Sequence, residues 1–68
     1  MTPAAFSALC ELTRADARSP SMRAAALVLV YGRPATEAAM ATGLQPQSVR
    51  NAVQRLRRAR ALALEVAK

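Results

Sequence analysis

The sequence predicts an all-α fold of three main helices followed by a short C-terminal arm, and three observations carry that prediction. Apolar residues recur at intervals of three and four through most of the chain, the spacing of one helix face. Twice a hydroxyl residue stands directly before a proline, at Thr2 with Pro3 and at Ser19 with Pro20, which is a cap followed by the first helical position. Two glycines, Gly32 and Gly43, stand where apolar stripes end. The 68 residues make one domain, 1–68, and a chain this short buries so small a fraction of its surface that self-association is expected.

The first helix starts at Thr2 and Pro3 and is expected to run to about Asp16, with Ala5, Phe6, Leu9 and Cys10 in its stripe and Thr13 a turn later. Cys10 reads as a small buried thiol, since no His, Lys or helix start is placed to lower its pKa. Ser19 caps a second helix over residues 20–31, with the stripe Met22, Ala25, Ala26, Leu29 and Val30. Leu27 and Val28 widen its apolar surface nearly all round, so it is expected at the centre of the core, with Phe6 and Tyr31 in or near that core. Gly32 ends it, and Arg33 and Pro34 turn the chain.

From Ala35 the spacing is that of a helix-turn-helix. Ala39 is small where two helices would cross closely, Gly43 stands at the turn, Leu44 follows it, and Val49 comes six residues after the glycine. Glycine permits a positive φ, alanine lets the axes approach, and Leu44 with Val49 closes the small core between them.

A third helix is expected over residues 46–59, with Gln45 or Leu44 as its cap and Pro46 first. Wound at about 100° per residue from Val49, it puts Ala52, Val53, Leu56 and Ala59 within about 80° of that residue. Gln47, Arg50, Asn51, Gln54 and Arg58 fall on the opposite side. Asn and Gln can bond adenine through two atoms at once and Arg can do the same to guanine, so Gln47, Arg50, Asn51 and Gln54 are assigned to base readout. Arg55 and Arg57 at the flanks, with Arg58 and Ser48, are assigned to phosphate. Past Arg58 the wheel would turn Arg60 into the core and Leu62 onto the polar side, so the helix is expected to stop. Leu62, Leu64 and Val66 then alternate with smaller or polar residues as in a strand, while the Ala and Leu content leaves a bent helix open. Either way residues 61–68 form an apolar arm expected to close a dimer.

Charge agrees with a polyanionic partner. Ten basic residues stand against four acidic ones, a net +6, and nine of the ten bases are arginine. Between Ala38 and Leu64 there is no Asp or Glu. Solvated helix faces usually mix acids with bases, so an acid-free arginine and amide face points to double-stranded DNA. RNA is disfavoured because aromatic platforms for unstacked bases are missing. With no His, no nucleophile beside a base and few acids, neither an enzyme nor a metal site is expected, and no cofactor or small-molecule effector is indicated. The longest apolar run, residues 24–31, is far below the roughly twenty needed to cross a bilayer, and no leader is recognisable, so the expected place is the cytoplasm.

Taken together, the helix around Phe6, the stretch AAALVLVYGRP at residues 24–34, MATGL at 40–44 and SVRNAVQRL at 48–56 resemble the KorA/TrfB family of plasmid-encoded transcriptional repressors. The family has a similar apolar helix ending in Asp-Gly-Lys-Pro, and Val49, Ala52, Val53 and Arg55 stand at matching positions. The resemblance covers residues 2–56. It implies a small helix-turn-helix protein that binds a palindromic operator, an inverted repeat, as a homodimer and represses transcription by occupying a promoter. Gln47, Arg50, Asn51 and Gln54 are mostly of other types than the family carries, so no operator sequence comes with the resemblance. The family's C-terminal dimerisation region is almost entirely lacking here, so neither does the mode of dimerisation. The competing expectation is a protein-interaction module that docks a larger partner through Leu62, Leu64 and Val66.

Overall fold

The computed structural model describes residues 1–66, which form four helices: α1 (Pro3–Leu12), α2 (Pro20–Leu29), α3 (Ala35–Thr42) and α4 (Pro46–Val66). There is no strand among the described residues. Besides the three main helices expected from the sequence, the short helix that the spacing from Ala35 to Gly43 calls for forms as two turns of its own, which makes four.

Both expected caps are made. The Ala5 N–H donates to Thr2 Oγ1 at 3.1 Å and the Met22 N–H to Ser19 Oγ at 3.3 Å, so each proline sits at a helix start where its missing N–H costs nothing. The ends differ more from expectation. α1 stops at Leu12 rather than near Asp16, with Thr13 as its cap and Arg14 left-handed at φ 57°. The Ala15 N–H returns to the Cys10 carbonyl at 2.9 Å, closing a turn of the kind that usually holds glycine at the left-handed position. Arginine there gives no sequence signal. α2 likewise ends at Leu29 with Val30 as its cap, and Gly32 at φ 70° lets the Arg33 N–H reach the Leu27 carbonyl at 2.9 Å. Tyr31 therefore falls outside the helix. It is 66% exposed, against the expectation of a core or near-core position.

α2 packs against each of the other three helices, as its broad apolar surface predicts. The core is built round Phe6, Leu9 and Cys10 of α1, Met22 of α2, and Val49, Val53 and Leu56 of α4. Alanines fill the crossings: Ala24 and Ala25 on α2, Ala38 and Ala39 on α3, and Ala52 on α4 are all buried. Met22, Leu56 and Val49 are the largest fully buried side chains. Cutting Leu56 to Ala would cost about 2–5 kcal/mol, a large part of what so small a domain holds. Burial also pushes the Cys10 thiol up from its ordinary pKa, keeping it protonated and inert at neutral pH.

α4 corrects the expected arm. It runs without interruption through Arg58 and Arg60 to Val66, so the strand alternative is excluded over residues 61–66; residues 67 and 68 of the arm lie outside the described chain. At about 1.5 Å per residue its 21 residues make a rod about 31 Å long, in a molecule measuring 37 × 18 × 17 Å. The helix outlasts the core it packs on. Arg60 falls on the core side of the wheel and yet is exposed, because the core residues of α4 end at Leu56 with only Ala59 and Ala63 half-buried beyond. A register that fails against a core is no reason to stop where there is no core. The helical form also divides the three large residues: Leu62 and Val66 lie about 40° apart on one side, while Leu64 points about 160° away from Leu62. They are 58%, 86% and 57% exposed, respectively.

Candidate nucleic-acid interface

The site is built by what joins α3 to α4. Gly43 follows α3 in the left-handed conformation, φ 74° and ψ 17°, and the N–H groups of both Gly43 and Leu44 return to the Ala39 carbonyl, Leu44 at 3.1 Å. That fold-back sets Leu44 half-buried against the core. The Gln45 carbonyl then accepts the Val49 N–H at 3.2 Å, which makes Gln45, of the two expected caps, the residue that starts α4. Three residues thus join the two helices. Buried Ala38 and Ala39 on α3 and Val49 on α4 let the two helices pack closely, and this sets the direction in which the outer face of α4 looks.

On that outer face Gln47, Arg50, Asn51, Gln54 and Arg58 are all exposed, while Val49, Ala52, Val53 and Leu56 are buried on the other. The division expected from the helical wheel is therefore the one observed. Gln47 Nε2 donates to Asn51 Oδ1 at 3.0 Å, tying two of the amides together one turn apart. Arg55 and Arg57 are exposed and stand about 160° apart around the helix, one on each flank. An open groove is lined by Arg50, Gln54, Arg55, Arg57 and Arg58 of α4 with Val28 of α2 and Ala35 of α3. On the Arg55 side a smaller cleft is lined by Ser48, Asn51, Ala52 and Arg55 with Ser21 of α2.

The electrostatics are one-sided. Asp16 pairs with Arg18 at 4.0 Å and Glu37 with Arg33 at 3.4 Å, both pairs exposed and neither involving α4. Arg50, Arg55, Arg57 and Arg58 have no acidic partner among the described residues. Glu65 is the first acid on α4 and falls on the same side as Gln54 and Arg58, about 10 Å beyond Arg58, so the acid-free surface ends there. Tyr31 is exposed but lines a groove with Arg23, Leu27, Ala41 and Thr42, to which α4 contributes nothing. Among the described residues no cluster of His, Cys, Asp or Glu could hold a metal ion, and no helix is long and apolar enough to cross a membrane.

Two features of the site carry no signal in the sequence. Ser21 lies 27 positions before Ser48 and joins its cleft only because α2 crosses α4. The separation of Leu64 from Leu62 and Val66 depends on the arm being helical. Comparisons with protein-family models, curated proteins and solved structures give no match to this chain.

Proposed function

We propose that the chain is a sequence-specific double-stranded DNA-binding regulator, a repressor or autoregulator of a plasmid, phage or other mobile element, with α3 and α4 as a helix-turn-helix. One observation carries this reading: α4 exposes amides and guanidinium groups, and no acid, along the length that its buried face holds against the core. A helix fits the major groove, about 12 Å wide, where Asn and Gln suit adenine and Arg suits guanine. Gln47, Arg50, Asn51 and Gln54 read bases in this proposal. Arg55, Arg57, Arg58 and Ser48 hold phosphates on either side. The resemblance of residues 2–56 to the KorA/TrfB repressors supports the helix-turn-helix reading and adds the mechanism, occlusion of a promoter by an occupied operator. No cofactor takes part, and the work is done in the bacterial cytoplasm.

A second copy completes the proposed regulator. The domain is small, and α4 carries an apolar end past the core, so two copies related by a two-fold axis through that end would bury Leu62 and Val66 and present two α4 helices to one duplex. Their separation has to be near 34 Å for successive major grooves, and the operator has to be an inverted repeat. Selection of bound sequences from a random duplex pool tests the proposal, with an inverted repeat as the expected product. Enrichment of no sequence would overturn specific readout.

The exposed Leu62, Leu64 and Val66 equally favour a module that docks a larger protein. Salt separates the two readings. Duplex binding that replaces counterions weakens steeply with added salt, and apolar docking does not.

A further inference from the structure

We propose that Ser21, on the first turn of α2, acts with Ser48 and Arg55 of α4 to hold one phosphate of the duplex backbone, which fixes the angle at which α4 lies in the groove. The inference rests on the DNA-binding reading of α4 and adds to it a contact from a second helix. Its basis is the cleft itself: two hydroxyls and a guanidinium from two helices line it beside Asn51, which is assigned to bases. A hydroxyl can donate to a phosphate oxygen, and Arg55 supplies the charge-assisted bond. Arg55 has no acidic partner among the described residues, so no carboxylate among them competes for it.

A polymeric phosphate suits this cleft better than a free one. The cleft is open, and its neighbour Asn51 faces where bases would lie, so a strand whose bases meet α4 passes its backbone along this flank. The larger groove, which Arg55 borders together with Arg50, Arg57 and Arg58, is lined from the other helices by Val28 and Ala35, which can hold no phosphate through their side chains. Of these two recesses only the cleft with Ser48 takes a polar side chain, Ser21, from the core helix α2, so there the docking angle is set by the body of the domain.

Ser21→Asp separates this role from a structural one. The residue is second in α2 after Pro20, and the first turn of α2 holds no acid, so an aspartate there favours the helix dipole and should leave the melting temperature unchanged or raised. The same carboxylate would face the duplex phosphate. Fluorescence anisotropy should show binding to selected and scrambled duplexes weakened together, by roughly tenfold, with a smaller loss for Ser21→Ala. Millimolar inorganic phosphate at constant ionic strength should not displace the duplex. Unchanged duplex affinity in a folded Ser21→Asp variant would overturn the contact while leaving the reading of α4 intact, and competition by inorganic phosphate would make the site one for a free anion. Failure of the unmodified protein to bind any duplex would instead remove the reading on which the contact depends.

Discussion

Gln47 Nε2 and Asn51 Oδ1 are 3.0 Å apart across the first full turn of α4, with the glutamine donating and both side chains exposed. The bond spends one donor of Gln47 and one lone pair of Asn51. It leaves the Asn51 amide group free to donate and its oxygen able to accept once more, the two functions a bidentate contact to adenine requires. An exposed asparagine ordinarily has to be ordered on binding; this one is already held.

The first prediction concerns that pair. Asn51→Ala should cost roughly 1–3 kcal/mol of discrimination at one base pair. Gln47→Ala should weaken discrimination at that same pair as well as at its own, and the double variant should lose less than the sum of the two, since the residues act as a unit. Titrations against a panel of singly substituted operators measure this. Strict additivity, with the two losses at separate positions, would mean that the bond has no part in recognition.

The second prediction separates positioning from readout. Arg55→Ala and Arg57→Ala should each weaken binding to every duplex about equally and reduce the slope of log K against log salt by about one unit. The selected sequence should not change. A loss confined to one base pair would move that arginine among the readers.

How far the site was legible follows from which contacts are local. Thr2, Ser19, Gly32 and Gly43 act within a few residues of themselves, so their effects can be read from the chain. The faces of α4 are equally local, being set by helical period alone. What could not be read depends on a distant partner or on its absence. Arg14 adopts the conformation of a terminating glycine without the residue type that announces it. Tyr31 looks like the continuation of an apolar run, yet Val30 already caps α2 and the ring turns outward. The end of α4 is the plainest case: its wheel predicts a stop where Arg60 meets the core, and the core ends first.

Two of the three left-handed positions, Gly43 and Arg14, give a stability test. Gly43 lies at φ 74° with nothing within 4 Å of where a Cβ would stand, so Gly43→Ala meets no clash and its cost is conformational, about 1–2 kcal/mol. Arg14 at φ 57° already bears such a cost, and Arg14→Gly should recover up to about 1 kcal/mol. In a domain of this size each kcal/mol moves the melting temperature by about 4–8 °C, within easy reach of circular dichroism. Changes of the same sign in both variants would contradict this account of the turns.

The last prediction concerns the projecting end of α4. In a strand Leu62, Leu64 and Val66 would share one face, and all three would have to be removed to open a dimer. In the helix, Ala59, Leu62, Ala63 and Val66 fall within an arc of about 100°, and Leu64 lies outside it. Small Ala59 and Ala63 between two large residues allow a second helix to approach closely, so an antiparallel pair of α4 ends would bury this stripe and leave Leu64 at its margin. Leu62→Ser with Val66→Ser should therefore give a monomer by sedimentation, with its core helices intact by circular dichroism. Operator binding should weaken sharply as the two half-sites lose their linkage. Leu64→Ser alone should remain dimeric. If the double variant sediments as a dimer, the interface lies elsewhere. The next surface to test would then be α1, where Leu12 is 62% exposed while Phe6 is committed to the core.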